Sequence, residues 1–220
     1  MNLLQSFSLK NKFAIVTGSR GALGMAIINA LENAGAKVFA YGISAGYDVT
    51  DIKQINKVIS KLKRVDILVN NAGVTNTTWD KTYEVNLKAP FVMATTVRKK
   101  MKKGASIINI SSINAELAFP NNPSYVAMKH GLNGLTKALA RDFGKYGIRV
   151  NGIGPGYFRT EMTKQSWQKR HKEIADKTIL GRWGIPEDLM GTVVLLASRA
   201  SSYITGQTIY IDGGWLAKGL

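Results

Sequence analysis

A short β-branched run leads directly into a glycine-rich turn in the segment Phe13-Ala-Ile-Val-Thr-Gly-Ser-Arg-Gly-Ala-Leu-Gly24. The helical pattern that follows extends from about Gly21 to Asn33. Glycines between a strand and a helix let the backbone approach a pyrophosphate, and the free N–H groups and dipole of the helix N-terminus favour anions. Such a turn can also be an ordinary connection. Its position between the first strand and the first helix favours dinucleotide binding.

Outward from this segment, apolar runs alternate with helical patterns along the whole chain. Such alternation, with nearly continuous apolar strands, indicates a parallel sheet covered by helices on both faces. We therefore predict one α/β domain over residues 1–220, a Rossmann-like doubly wound parallel sheet. The predicted strands are 13–17, 37–41, 66–70, 106–110, 148–152 and 208–211, and the predicted helices are 21–33, 51–63, 82–102, 123–145 and 186–198.

Length and composition exclude several classes of protein. The chain has 220 residues, of which 45% are hydrophobic and 20% charged, as in globular proteins. It contains no cysteine, which excludes disulfides, thiolate metal sites and cysteine nucleophiles. No apolar stretch approaches the roughly 18 residues of a membrane span, and the N-terminus lacks a signal-peptide core. We expect a cytoplasmic protein that is not bound to a membrane and holds no metal.

The charge balance is unusual, since 30 Lys and Arg against 14 Asp and Glu give a net charge of +16. Such a field attracts nucleic acids, acidic carrier proteins or anionic metabolites. The basic residues concentrate in three groups, at 53–64, 98–103 and 164–172, each in or at the end of a predicted helix. No nucleic-acid-binding motif accompanies them, so we interpret them as solvated helix faces rather than as a nucleic-acid site.

A second motif, Tyr125-Val-Ala-Met-Lys129, lies on a predicted helix. Side chains four residues apart project from the same helical face, which brings the phenol close to the ammonium. A neighbouring cation stabilises phenolate and should lower the pKa of Tyr125 from its usual value near 10. Tyr125 is then a candidate general acid and base. On its own this spacing is also common in amphipathic helices.

Further motifs accompany these two along the chain, and the combination is far more specific than either motif alone. Ser112 lies thirteen residues before Tyr125, at the end of a predicted strand. This set, in this order along the whole chain, resembles the short-chain dehydrogenase/reductase family. The remaining motifs of the set are Asn70-Asn-Ala-Gly73 at the end of a strand, Asn86 in Val85-Asn-Leu-Lys-Ala-Pro-Phe91, Pro155-Gly-Tyr-Phe-Arg-Thr160 and Ile211-Asp-Gly-Gly-Trp215.

The resemblance implies an NAD(P)-dependent oxidoreductase that interconverts a secondary alcohol and a ketone. In it, Tyr125 would exchange the proton of the reacting oxygen, which Ser112 would bind. Lys129 would lower the pKa of Tyr125 and hold the nicotinamide ribose, and Asn86 would hold a water that links Lys129 to solvent. The implied cofactor contacts are Gly18, Ser19, Arg20, Leu23, Asp48, Val49, Asn71, Ala72, Gly73, Tyr125, Lys129, Pro155, Gly156, Phe158 and Thr160. The hydride chemistry belongs to the cofactor.

The sequence departs from the family pattern at three places. Ala22 stands where the family usually has glycine, which crowds the phosphate turn by one methyl group. The segment between Tyr41 and Asp48 is shorter than usual and should lack a helix beside the adenine. The segment between Gly73 and Asn86 is also short, which should open or reshape one wall of the cleft.

Cofactor choice depends on the end of the second predicted strand, where members that prefer NAD carry an Asp for the ribose hydroxyls. Gly42 occupies this position, and Arg20 in the glycine-rich turn supplies a cation for a 2′-phosphate. The sequence therefore favours NADP(H) over NAD(H).

The motifs after Pro155 look like the gluconate and deoxygluconate dehydrogenase branch of the family, and a basic lid over about 160–178 would suit a sugar acid. Trp167 and Trp183 flank this lid and either contact substrate or pack the lid on the body.

The alternative function is that of a 3-oxoacyl-(acyl-carrier protein) reductase, because the +16 charge and Lys103, expected near the cleft, would suit an acidic carrier. A third alternative is a polyanion-binding protein without activity. The resemblance also implies a homotetramer.

Overall fold

The computed structural model describes residues 2–218 and contains one six-stranded parallel sheet. The strand order is β2-β1-β3-β4-β5-β6, which confirms the predicted α/β class. The strands are β1 (Phe13–Thr17), β2 (Lys37–Tyr41), β3 (Ile67–Asn70), β4 (Ser106–Ile110), β5 (Arg149–Pro155) and β6 (Thr208–Ile211). The fifth strand is longer than predicted, because its last residues, through Pro155, pair with β6 up to Ile211.

Eight helices cover the sheet or precede it in the described residues. They are α1 (Leu3–Ser6), α2 (Ala22–Asn33), α3 (Ile52–Ser60), α4 (Trp79–Tyr83), α5 (Ala89–Arg98), α6 (Pro123–Gly144), α7 (Lys164–Lys177) and α8 (Met190–Ala197). Between Tyr41 and Asp48 the chain forms only a 3-10 turn, Ile43–Ala45. This short connection agrees with the expected loss of a helix there.

The single helix predicted over 82–102 is wrong in its bounds and in its continuity. The helical segment starts earlier, at Trp79, and passes through a π-helical turn over Glu84–Lys88 before α5 ends at Arg98. Pro90 has no N–H to donate four residues back, so an α-helical ladder is interrupted at this point. The Ala89 N–H instead donates to Glu84 O, five residues back, as in a π-bulge.

Alternate residues of each strand face two separate cores. Ile15 of β1 and Leu68 of β3 pack against α5 and α6, where Met93 and Phe143 are buried. Neighbouring strand residues, such as Val16, point the other way and pack with α2 and α8. Each face of the sheet is thus covered by helices, as the continuous apolar strands predicted.

Arg149 at the start of β5 is buried in this second layer and binds the end of α8. Its guanidinium donates to Leu196 O at 2.9 Å, to Ser198 O at 3.0 Å and to Ser201 Oγ at 2.7 Å. Burial lowers the pKa of Arg149 to about 10. The buried cation satisfies carbonyl groups that the helix itself leaves without partners.

The chain turns back across the sheet between β1 and β3, because β2 lies on one side of β1 and β3 on the other. Ligands of doubly wound sheets bind in the crevice beyond the carboxyl ends of the strands at such a point. Lys103 lies at the amino ends of the strands, opposite to the cleft, beside Gly147 and before the start of β4. The expectation that it lies near the cleft is wrong. Within residues 2–218, no helix has the length and apolarity to cross a bilayer.

Candidate active site

A cleft of about 890 Å³ opens at the carboxyl ends of the strands, within the usual size range of ligand pockets. The structure brings together almost all of the predicted catalytic and cofactor-binding residues, and among them only Asn86 does not line the cleft. The lining residues among them are Gly18, Ser19, Arg20, Leu23, Asp48, Val49, Asn71, Ala72, Gly73, Ser112, Tyr125, Lys129, Pro155, Gly156, Phe158 and Thr160.

The glycine-rich turn lies directly against the end of β3. Gly18 has a φ of +64°, and a Cβ at this position would lie 2.7 Å from Ala72 Cα, so only glycine fits. Helix α2 begins after Gly21 without a side-chain cap, which leaves the N–H groups of its first turn free for an anion. Ala22 is exposed and lines the cleft, and the crowding of the phosphate turn expected from it stays a prediction. These features fit the pyrophosphate of a dinucleotide.

Hydrogen bonds fix the turn to β3. The Asn71 side-chain amide donates to Thr17 O at 3.0 Å and to Gly18 O at 2.9 Å. In the other direction, the backbone N–H groups of Asn71 and Ala72 donate to Thr17 Oγ1 at 2.9 and 3.0 Å. The glycine-rich turn and the segment after β3 are therefore joined directly by hydrogen bonds.

At the adenosine end, Gly42 is buried and extended, and a Cβ there would lie 3.2 Å from Ser19 Oγ. Arg20 is exposed at the rim of the cleft. Asp48 accepts hydrogen bonds from the Thr50 N–H and hydroxyl, both at 2.8 Å, and the backbone bond in particular lowers the pKa of Asp48. Its carboxylate thus holds its own loop and lies within the same cleft.

Tyr125 and Lys129 lie one turn apart on α6, as predicted. The Lys129 ammonium is 5.5 Å from the centre of the Tyr125 ring and donates to Ile110 O at 2.8 Å. Burial lowers the pKa of Lys129 to about 8. The expected lowering of the Tyr125 pKa by Lys129 is not what the structure shows. Desolvation raises the pKa of Tyr125, and a hydrogen bond with Ser112 opposes this rise.

Ser112 follows β4 and starts a 3-10 turn over Ile113–Ala115. Its Oγ accepts from Asn114 N at 3.1 Å and lies 3.2 Å from Asn114 Oδ1, to which it donates. The turn fixes the hydroxyl at the carboxyl end of the sheet beside Tyr125. The hydrogen bond between Ser112 and Tyr125 makes the two hydroxyl groups neighbours in the cleft.

Asn86 is 1% exposed and lies in the π-helical turn before α5. Its amide donates to Val74 O at 2.8 Å and accepts from Val74 N at 2.9 Å. In the structure Asn86 therefore holds the segment that follows Asn70–Gly73. Its predicted role in binding a water stays a prediction.

On the lid side, Gly156 lies so close to β6 that a Cβ would be 2.7 Å from Asp212 Cα. Phe158 lines the cleft, but its side chain is buried in the core and stacks over Gly184. Thr160 caps the turn that precedes α7 through a reciprocal bond with Thr163. The segment predicted to be a lid, 160–178, is therefore a short turn followed by a helix.

The cleft also contains residues that had no role in the sequence-based predictions. Two of them could have been found from the sequence, because Tyr157 lies inside the Pro155–Thr160 motif and Arg170 lies in the basic group at 164–172. On the substrate side such residues include Val74, Thr75, Asn76, Asn114, Phe119, Pro120, Asn121, Asn122, Tyr157, Glu161, Met162, Thr163, Ser166 and Arg170.

Trp167 in the predicted lid packs against Trp183, which follows it in the chain. Trp183 is 3% exposed, lies 5.1 Å from the Trp167 ring and donates from Nε1 to His171 O at 3.0 Å. Neither tryptophan lines the cleft. In residues 2–218, no group of three His, Cys, Asp or Glu side chains is arranged to hold a metal ion.

Comparisons with known proteins agree with this arrangement. A family model described as Enoyl-(Acyl carrier protein) reductase matches residues 24–216. A 2-dehydro-3-deoxy-D-gluconate 5-dehydrogenase of Dickeya dadantii is 38% identical, and the match covers 98% of this chain and 100% of that protein. That alignment runs over 252 positions, more than the 220 residues of this chain, so this chain lacks residues that the relative has.

A 3-oxoacyl-[acyl-carrier-protein] reductase of Rickettsia typhi is 37% identical over 93% of this chain and 97% of its own length. The crystal structure of a gluconate 5-dehydrogenase from Burkholderia cenocepacia, in complex with NADP and tartrate, superposes with a TM-score of 0.91. It is 30% identical, with 98% of this chain and 99% of that chain covered. Since the family model covers most of the chain and these relatives cover nearly all of it, the protein belongs to the short-chain dehydrogenase/reductase family and is an NAD(P)-dependent oxidoreductase.

Proposed function

We propose that the protein interconverts a secondary alcohol and a ketone on a sugar acid, with Tyr125 as general acid and base. The observation that carries this proposal is the convergence of Ser112, Tyr125 and Lys129 in the cleft that also contains the glycine-rich turn. The sugar acid is supported by the relatives from Dickeya dadantii and Burkholderia cenocepacia, whose names are those of gluconate-type dehydrogenases.

Each side chain has a distinct task at the reacting oxygen. The nicotinamide supplies hydride transfer when it is bound. Tyr125 holds the proton that the oxygen gains or loses, and the Ser112 hydroxyl binds that oxygen and orients it. Lys129, which has its ammonium beside Ile110 O and its pKa at about 8, is charged at neutral pH and balances developing phenolate charge. Asn86 positions Val74 and, in this proposal, a water that leads to Lys129.

The cofactor in this proposal is NADP(H) in preference to NAD(H). No acidic side chain occupies the end of β2, where Gly42 lies beside Ser19. Arg20 is exposed at the same rim and can pair with a 2′-phosphate. The related structure from Burkholderia cenocepacia contains NADP, which supports the proposal.

The second candidate function is reduction of a 3-oxoacyl thioester on an acidic carrier protein. The 37% identity to the reductase of Rickettsia typhi and the net charge of +16 favour it. Lys103 lies at the amino ends of the strands and not near the cleft, so it does not support this second function. The resemblance also leads us to propose a homotetramer in the cytoplasm, which light scattering and cell fractionation would test.

The experiment is a panel of keto-sugar acids, simple diketones and an acetoacetyl thioester, each assayed with NADPH and with NADH. We expect the highest kcat/KM for a keto-sugar acid with NADPH. A highest value for the acetoacetyl thioester would select the second function. If NAD(P)H is oxidised with none of them, a binding protein without this activity becomes the better interpretation.

A further inference from the structure

Arg170 is the one lining residue of the lid helix that carries a positive charge toward the cleft. The helix α7 is interrupted at this residue, where φ is −131° and ψ is 23°. Because the dihedral angles of Arg170 are not helical, its side chain leaves the helix in a different direction from that of a regular helical residue. Only one other lining residue between Pro155 and Arg170 is charged, Glu161, and it pairs with Lys164 at 3.3 Å. Arg170 is therefore placed to meet an anionic part of a substrate.

The guanidinium of Arg170 is held along one edge. Its Nε and Nη2 each lie 2.8 Å from a carboxylate oxygen of Glu173, and Lys177 Nζ binds the same carboxylate at 3.0 Å. These two cations lower the pKa of Glu173 to about 2, so the carboxylate is charged at every working pH. Such a fork fixes the plane of the guanidinium and leaves Nη1, on the opposite edge, without a bond to Glu173.

Arg170 lies among polar and aromatic residues that line the cleft, such as Ser166 and Tyr157. Arg170 interacts with the hydroxyl of Tyr157, whose ring packs edge-on against Phe119 at 6.1 Å. Two neighbouring cations do not offer a charge to the cleft. Arg159 stacks over the Trp167 ring at 4.0 Å, and Lys169 is exposed and does not line the cleft.

We propose that Arg170 is the residue that binds the carboxylate of the substrate and so selects sugar acids over neutral polyols. Glu173 acts as its positioning residue, because it holds one edge of the guanidinium while the other edge faces the substrate. This inference rests on the proposed function, since it assigns the anionic group of that substrate to a place in the cleft. Planar, bidentate recognition is what an arginine offers to a carboxylate.

The test compares two substrates that have the same stereocentres and differ at one carbon. D-Gluconate carries a carboxylate where D-glucitol carries a hydroxymethyl group, and both are assayed with NADP⁺. For Arg170→Gln we expect the KM for gluconate to rise about tenfold to a hundredfold, because a charge-assisted contact is lost, while kcat changes little. The kinetic constants for glucitol should stay the same, and Arg170→Lys should give an intermediate KM.

Lys169→Gln is the matched control, since it removes one positive charge from the same helix outside the cleft. An unchanged Kd for NADPH shows that each variant is folded. If Arg170→Gln and Lys169→Gln give the same KM for gluconate, the role of Arg170 is wrong although the proposed function stands. If the wild-type protein does not prefer gluconate to glucitol, or oxidises neither, the proposed substrate class itself is wrong and the inference fails with it.

Discussion

The two walls of the cleft are built from different interactions. The inner wall, from the glycine-rich turn to Lys129, is held in place by buried polar groups such as Thr17, Asn86 and Lys129, each bonded to backbone atoms of another segment. The outer wall is the lid over 160–178, where the side chains of Arg170 and Glu173 are 46% and 45% exposed and bind each other. One wall depends on bonds within the core and the other on ion pairs at the surface.

This difference separates chemistry from selection. A buried polar group that loses its partner destabilises the fold, whereas an exposed ion pair contributes little to stability. Substitutions in the lid can therefore change which substrate binds without loss of the fold. Substitutions in the inner wall should affect both activity and stability, and the predictions below test that division.

The largest effect is expected from Tyr125→Phe, which keeps the ring and removes the transferable proton. Loss of general acid–base catalysis should lower kcat by on the order of 10²–10⁴. The Kd for NADPH should change little, because the ring still packs in the same place. Steady-state kinetics and a cofactor titration check both values, and turnover close to that of the wild type would show that Tyr125 is not the acid and base.

The next effect concerns Lys129, whose pKa burial lowers from 10.5 to about 8. Between these two values the folded protein binds fewer protons than the unfolded chain, and stability rises with pH wherever that holds. Relative to Lys129→Met, the wild type should gain up to about 3 kcal/mol of unfolding free energy from pH 8 to pH 10.5, at 1.36 kcal/mol for each pKa unit. Urea unfolding at several pH values measures this difference.

The exposed Lys137 on the same helix, changed to Met, is the control for that series. A difference between the wild type and Lys129→Met that stays constant or falls with rising pH would contradict the prediction. Such a result would mean that the Lys129 ammonium is not desolvated in the folded protein.

A smaller effect is expected at the adenosine end of the inner wall. Arg20→Ala should weaken NADPH binding by about tenfold to a hundredfold, the worth of a charge-assisted contact of about 1.5–3 kcal/mol, and leave NADH binding nearly unchanged. Gly42→Asp should reverse the preference, because a carboxylate repels the 2′-phosphate. Dissociation constants of both cofactors for the three proteins decide the matter, and a wild type that binds NADH more tightly would overturn the assignment.

The smallest effect concerns the outer wall. Because α7 carries several lysines and arginines on an exposed surface, trypsin should cut the chain first within 160–178. NADPH together with a sugar acid should slow this cleavage severalfold, since closure over a substrate orders a lid. Mass spectrometry of the fragments locates the cut, and equal rates with and without ligands would argue against a closing lid.

Much of the inner wall was predictable because its elements are local. The run Phe13–Val16 is apolar throughout, and Tyr125 and Lys129 share a helical face by their spacing alone. The roles of Ser112 and Asn86 came from the resemblance. The position of these residues at one end of the sheet then followed from the parallel topology.

What the sequence did not reveal depends on contacts between distant segments or on side-chain direction. The π-helical turn at Glu84–Lys88 reflects Pro90 within a helix that also packs on the sheet. The Lys129 ammonium donates its hydrogen bond to Ile110 O rather than to the Tyr125 phenol. The kink at Arg170 lies in a helix with almost no apolar face, so no hydrophobic periodicity marks its direction.

The Asn71 amide and the Thr17 hydroxyl join the glycine-rich turn to the end of β3 without a cofactor. A loop that has to be ordered by its ligand loses about 1–2 kcal/mol of backbone conformational entropy for each residue fixed. Because these bonds join protein groups to each other, the ordering of the turn belongs to folding and need not be repeated when the dinucleotide binds. The same bonds predict that the turn keeps its shape when a cofactor enters, so that association is limited by encounter rather than by rearrangement.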